Sequence, residues 1–169
     1  MSMIGHFIEV TPDQLHRFRF SRDMDWLQRA LECDQDDPGG GPDAPISQMD
    51  VDKAWHGIHF TLTGEVDSAS GAEGFILGGE EVGGDLGYGP ARVLRPEEVI
   101  AVSEAISAIP PEVFESRVSC GSLEAAQIYP NIWDEGEEAV EYLVEYYKML
   151  SEWIHGVAER GNGVVLLLT

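Results

Sequence analysis

The longest stretch of helical periodicity in the sequence lies near the C-terminal end. Apolar side chains recur there at three- and four-residue intervals from Val140 to Val157, and the pattern stops at Gly161. The spacing predicts a helix over about 135–160, the longest element of the protein. The side chains expected to be buried along its inner face are Leu143, Tyr147, Leu150 and Ile154.

Apolar segments at both ends of the chain are predicted strands. The first, Met3–Val10, stops at Thr11–Gln14, where threonine, proline and glutamine form a helix-starting signature. The last, Val164–Leu168, is apolar without interruption, which is typical of a strand buried on both faces. Two further short strands are expected over Gly74–Gly78 and from Pro90 to Leu94.

Shorter helical patterns fill most of the remaining sequence. They are expected after Thr11, over Asp23–Glu32, from Ser47 to Leu62, after Pro96, over Glu112–Val118 and over Leu123–Ile128. Because helices outnumber strands without alternating with them, the sequence favours an α+β fold. We expect a single domain over residues 1–169, with one small mixed sheet packed by several helices. Residues 34–45, rich in charge, proline and glycine, are expected to form a flexible loop.

Charge is the strongest compositional signal. Thirty-one acidic against ten basic residues give a formal net charge of −21, which argues against nucleic acid or anionic membranes as partners. No apolar run is long enough to cross a membrane, and no basic region precedes an apolar one at the start. Cys33 and Cys120 lack CxxC spacing, so we expect reduced thiols and a cytoplasmic protein.

Three motifs in order along the chain carry a family resemblance. They are AWHGIHFTLTG at 54–64, GDLGYGPARVL at 84–94 and AQIYPNIWD at 126–134. With these motifs the chain resembles the YfbM-like family of small bacterial proteins, a domain of unknown function. The resemblance implies an architecture and a set of positions to inspect, and it implies no reaction or cofactor.

The polar and aromatic members of these motifs are the candidate binding residues, and they are His59, Tyr88, Arg92, Asn131 and Trp133. An arginine beside a tyrosine can hold a carboxylate or phosphate, although an internal pair with Asp85 or another acid is the favoured role for Arg92. Trp133 can line a pocket, although packing against the first turn of the long helix is favoured. The glycines around Tyr88 are expected to form a tight loop with positive φ angles rather than a phosphate cradle.

A carboxylate and two imidazoles fall on one side of the helix predicted after Ser47. Asp52, His56 and His59 lie within an arc of about 60° there, at a spacing that a divalent metal ion can use. No fourth ligand can be identified, so we predict that these residues hold no metal, and no cofactor is expected.

Two hypotheses of function remain open from the sequence. The first is a binding domain for a basic protein partner, which the excess of acids favours. The second is a small-molecule binding protein or enzyme with a pocket near Tyr88, Arg92, His59 and Asn131. Spatial convergence of the candidate residues into one cleft would favour the second hypothesis, whereas dispersal into separate structural roles would favour the first.

Overall fold

The computed structural model describes residues 2–32, 43–68 and 70–169. Within them, one five-stranded sheet has the order β2-β1-β5-β4-β3, and all four strand pairs are antiparallel. Its strands are β1 Gly5–Val10, β2 Ser47–Asp50, β3 Glu80–Val82, β4 Ala91–Leu94 and β5 Gly163–Leu168. The predicted α+β fold is confirmed, but the sheet is antiparallel rather than mixed, because β5 runs against both of its neighbours.

The helices of the described residues pack on both faces of this sheet. They are α1 Pro12–Ser21, α2 Met24–Glu32, α3 Trp55–Thr63, α4 Pro96–Ser107, α5 Pro111–Arg117, α6 Cys120–Ala125 and α7 Glu137–Glu159. Helix α7, with 23 residues, is the longest of them, and the four side chains predicted to be buried on it are at most 1% exposed. None of these helices is both long and apolar enough to cross a membrane.

Strand β5 is apolar throughout because each face of the sheet has its own hydrophobic core. Val164 and Leu166 belong to a large core with α3, α4 and α7, while Val165 and Leu167 belong to a smaller core with α1 and α2. Side chains alternate across a strand, so a central strand covered on both faces needs apolar residues at every position. The prediction of a buried terminal strand is therefore confirmed.

Helix α1 begins as predicted. The Thr11 hydroxyl accepts a hydrogen bond from the Gln14 backbone N–H, and the Gln14 side chain accepts one from the Thr11 N–H. The two bonds satisfy amide donors that the first turn of a helix leaves without partners.

The helix predicted from Ser47 to Leu62 is wrong in its first half. Ser47–Asp50 forms the edge strand β2, and α3 begins only at Trp55. The Ser47 hydroxyl does not cap a helix, because it donates to the buried carboxylate of Glu9 on the neighbouring strand. Asp52, with a φ of 46°, lies between the strand and α3 in a conformation that a continuous helix cannot contain.

The strand predicted over Gly74–Gly78 is also absent. The segment is a succession of tight turns in which Leu77 N–H donates to the Gly74 carbonyl, and the neighbouring strand is β3. At Gly79, where φ is 93°, an added Cβ would lie 2.7 Å from the Val93 carbonyl oxygen, so only glycine fits there. The loop predicted over residues 34–45 lies largely outside the described residues.

Candidate functional site

Among the candidate residues, Arg92 lies near enough to His59 for its charge to lower the pKa of the imidazole. Arg92 projects from β4 toward the large core, where its two terminal nitrogens donate to the carbonyls of Ile76 and Leu77 at 3.0 and 3.2 Å. The predicted pairing of Arg92 with Asp85 or another internal carboxylate is wrong within the described residues, since the carbonyls of the tight turns accept its hydrogen bonds instead. Burial lowers the pKa of Arg92, while the charge of Glu81 acts in the opposite direction.

The side chain of His59 is fully buried on α3 and makes no hydrogen bond of ordinary geometry within the described part of the chain. The backbone of Ser68 lies near enough to act on its pKa but does not complete such a bond. Arg92 Nε is likewise buried without a described partner. Buried nitrogens of this kind cost free energy unless they are paired, so this cluster is an energetically unfavourable part of the interior.

Acid should therefore destabilise the protein through His59. Burial is the main cause that lowers the pKa of its imidazole, and the charges of His56 and Arg92 lower it further. The backbone of Ser68 and the charge of Glu65 act in the opposite direction, but the net pKa is lowered. The unfolded chain takes up a proton near the ordinary value of 6.5, whereas the folded protein takes it up only at lower pH. The free energy of unfolding should consequently keep its full value above pH 6.5, as far as His59 is concerned, and fall as the pH drops below 6.5.

A substitution at His59 isolates this contribution. In His59→Leu the loss of unfolding free energy between about pH 7.5 and about pH 5.5 should be smaller than in the wild type, as measured by urea unfolding. The same substitution at the exposed His16 is the matched control and should leave the loss unchanged. An unaltered pH dependence in His59→Leu would contradict the assignment.

Trp133 and Asn131 have separate positions around the turn before α7. Trp133 is 2% exposed, and its indole N–H donates to the Ile128 carbonyl at 2.6 Å. Its ring packs on α3 at Gly57, where an added Cβ would lie 2.7 Å from the ring. Asn131 is exposed, and its backbone N–H donates to Ile128. The structure thus places Trp133 in the core and Asn131 at the surface.

Tyr88 is half-buried in a loop that its acidic neighbour organises. Asp85 accepts hydrogen bonds from the N–H groups of Gly87 and Gly89 at 2.7 and 3.0 Å, and these bonds lower its carboxyl pKa. Both glycines have positive φ, as does Gly83. The prediction of a tight loop with positive φ angles is confirmed, and Asp85 has a structural role in closing it.

The three residues considered as metal ligands have different partners. Asp52 accepts a hydrogen bond from Tyr142 at 3.0 Å, whereas His56 bonds the Val66 carbonyl and accepts from the Tyr129 N–H, both at 3.1 Å. Residues 2–32, 43–68 and 70–169 contain no group of three or more His, Cys, Asp and Glu side chains arranged to hold a metal ion. The absence of a metal in the protein itself stays a prediction.

A surface that the sequence did not identify lies between the edge strand β2 and the C-terminal half of α7. This β2/α7 groove has a volume of about 590 Å³. Its lining includes Met49, Asp50, Met149, Glu152, Trp153 and Gly156. Met149 is 47% exposed, and Trp153 is half-buried with its indole N–H donating to Ser47 at 3.0 Å. The groove therefore combines apolar side chains with two carboxylates.

Glutamates continue the acidic side of the groove along α7. They recur every seven residues, and all four are exposed: Glu138, Glu145, Glu152 and Glu159. At about 1.5 Å per residue, successive carboxylates are about 10 Å apart along the helix, and their positions drift by only about 20° each time. This seven-residue recurrence is the signal in the sequence that could have identified the surface.

Comparisons with known proteins give the same architecture without an activity. A family model described as a domain of unknown function, DUF1877, matches residues 1–167. The fold is similar to the crystal structure of a protein of unknown function, YfbM from Escherichia coli, with a TM-score of 0.72 and 18% sequence identity. That alignment covers 98% of this chain and 99% of the other. No curated protein matches the chain.

Proposed function

We propose that this chain, which belongs to the DUF1877 family of YfbM-like domains, is a binding domain for a basic protein partner. The partner segment is amphipathic, and it docks in the β2/α7 groove with its positive side chains facing the glutamates of α7. The observation that carries the proposal is a groove whose apolar side chains are flanked by carboxylates that form no ion pair with another described residue.

The apolar part of the groove supplies the contact area. Met149 and Trp153 lie on the same side of α7, and Met49 faces them from β2. Methionine side chains adapt their shape to different apolar partners, and aromatic side chains are frequent anchors of protein interfaces. A partner segment with aliphatic or aromatic side chains on one face can therefore bury them here.

The carboxylates select the charge of that segment. Asp50 and Glu152 make no ion pair with any residue of the described ranges, whereas Arg160, the cation at the end of the groove, is paired with Glu9. Between residues 96 and 159 the sequence has fourteen acidic and two basic residues. A field of this sign attracts basic segments and speeds their encounter, and it repels anionic ones.

The positions of the candidate residues weigh against the alternative of a pocket near Tyr88, Arg92, His59 and Asn131. His59 is fully buried, the guanidinium of Arg92 is occupied by backbone carbonyls, and Asn131 is exposed, so each of these residues has a different setting. The proposed setting is the bacterial cytoplasm, which the Escherichia coli relative and the free thiol of Cys120 support.

A synthetic peptide provides the test. An 18-residue helical peptide with lysine on one face and leucine on the other should bind the protein, with an affinity that falls as salt increases. A peptide with glutamate in place of lysine, and a peptide of the same composition with the pattern scrambled, should bind at least about tenfold more weakly. Fluorescence anisotropy of labelled peptide measures all three dissociation constants.

Paired charge reversals locate the binding. Glu145→Lys combined with Glu152→Lys should weaken binding of the amphipathic lysine peptide by about tenfold or more. Glu104→Lys combined with Glu115→Lys changes the net charge by the same amount on exposed positions of α4 and α5, and it is the matched control. Equal weakening by the two double variants, or equal binding of the scrambled peptide, would refute the groove as the docking surface.

A further inference from the structure

The helices α1 and α2 enclose a second concave surface, on the side of the sheet opposite to α7. This α1/α2 pocket has a volume of about 450 Å³, and Asp43 is among its lining residues. Its floor is formed by Phe18 and Trp26, whose ring centroids are 5.4 Å apart. A volume of this size lies in the range of sites for small organic ligands, about 300 to 1,000 Å³.

Aromatic side chains form the wall as well as the floor. Phe20 is 71% exposed at the mouth of the pocket, and its ring centroid lies 4.5 Å from that of His16. Leaving so large an apolar side chain in water forgoes the stabilisation that burial would give. A planar ligand placed against Phe20, His16 and Trp26 would cover it and stack on their rings.

Two of the scarce cations of the chain, Arg17 and Arg29, line the pocket, and the helices that form it are rich in arginine. Four of the ten basic residues of the chain lie on the α1–α2 hairpin: Arg17, Arg19, Arg22 and Arg29. Arg29 lines the pocket and has no ion pair with another described residue, while Arg17 makes only an exposed pair with Asp43 at 2.8 Å. Exposed pairs of this kind are weak, so Arg17 can exchange its partner for a ligand at little cost.

The two acids of the pocket, Asp23 and Asp43, form one ion pair within the described residues, that of Asp43 with Arg17, and both also bind Trp26. Asp23 accepts a hydrogen bond from the Trp26 backbone N–H at 2.8 Å, and the backbone carbonyl of Asp43 accepts one from the Trp26 indole at 2.7 Å. Both acids thus hold Trp26 in place. We infer that the α1/α2 pocket binds a planar aromatic anion, whose ring stacks on Trp26 and Phe20 and whose carboxylate or phosphate is held by Arg29 and Arg17.

Three probes of similar size separate the two halves of this inference. Naphthalene-2-carboxylate should bind and shift the indole N–H signal of Trp26 in a proton–nitrogen NMR spectrum. Naphthalene-2-methanol, which has the ring without the charge, and cyclohexanecarboxylate, which has the charge without the planar ring, should each bind at least about tenfold more weakly. Equal affinities for the three probes, or no shift of Trp26 with the first, would overturn the inference.

Substitutions then assign the recognition to named side chains. Arg29→Gln and Phe20→Ser should each raise the dissociation constant of naphthalene-2-carboxylate by about tenfold. Both positions are exposed, so the fold should be retained, and the dispersion of the NMR spectrum checks this. Arg117→Gln, an exposed arginine on α5, is the matched control with the same loss of charge. Unchanged binding in Arg29→Gln, or an equal loss in Arg117→Gln, would contradict the assigned site.

Discussion

Leu150→Ala should lower the free energy of unfolding by about 2 to 5 kcal/mol. Leu150 is 1% exposed and lies on the inner face of α7, within the large core between this helix and the sheet. Removing its branched end takes away apolar contacts and leaves a cavity, because neighbouring side chains relax only partly into the space. The measurement is the midpoint and slope of urea unfolding.

The adjacent residue supplies the control. Met149 is 47% exposed on the outer face of the same turn, so Met149→Ala removes a side chain of similar size with little loss of buried area. Its cost should stay below about 1 kcal/mol. A midpoint unchanged by Leu150→Ala, or shifted equally by the two substitutions, would contradict the orientation of α7.

The elements that the sequence predicts best are those in which buried apolar residues recur at a regular spacing. Helix α7 buries one face over six turns, so its apolar residues recur often enough to determine its type, bounds and inner face. Strand β5 can be predicted equally well from the sequence, because a strand covered on both faces has apolar residues at every position. In both cases the information needed is local.

The secondary-structure predictions are wrong where contacts with a segment distant in the sequence determine the local structure. Ser47 followed by Asp50 has the composition of a helix start, yet the segment pairs with β1, about forty residues earlier, and becomes a strand. The turns around Phe75 are determined by their fit against β4 and by hydrogen bonds from Arg92. Short segments carry too few periodic positions to outweigh such contacts.

The candidate sites show the same limit. Arg92 was expected to find a carboxylate, since the chain has three acids for every base, but its partners are backbone carbonyls that composition cannot reveal. The β2/α7 groove needs two elements about a hundred residues apart in the sequence. The α1/α2 pocket is more local, and the clustering of four arginines on one hairpin was visible in the sequence.

Arg160→Ala should lower the free energy of unfolding by about 2 to 3 kcal/mol, less than for a fully buried pair because the arginine side chain is 48% exposed. Glu9, on β1, is fully buried, and Arg160 donates to both of its carboxylate oxygens at 2.7 and 2.8 Å. The side-chain amide of Asn162 also donates to the Glu9 carboxylate, at 2.7 Å, and the Ser47 hydroxyl is a further donor to it. Removing the arginine leaves an ionised carboxylate in the interior without its counter-charge, and its desolvation is then poorly compensated.

The pH dependence of this loss identifies its cause. Burial raises the pKa of Glu9, but the hydrogen bonds from Arg160, Asn162 and Ser47 outweigh burial and hold it below the ordinary 4.5. A lowered pKa stabilises the fold above that value, and the stabilisation disappears as the pH falls through the lowered pKa. In Arg160→Ala the carboxyl can accept a proton at higher pH, so the difference from the wild type should shrink on acidification.

A double-mutant cycle separates the charge pair from the loss of packing. Glu9→Gln alone removes the charge while keeping the shape, and in the Glu9→Gln, Arg160→Ala double variant no buried charge is left unpaired. The double variant should therefore cost less than the sum of the two single substitutions, by about 1 to 3 kcal/mol. The exposed pair of Arg17 and Asp43 is the comparison, and Arg17→Ala should cost less than about 1 kcal/mol. Additive effects at Glu9 and Arg160, with no narrowing of the difference in acid, would mean that Arg160 stabilises the fold by packing alone.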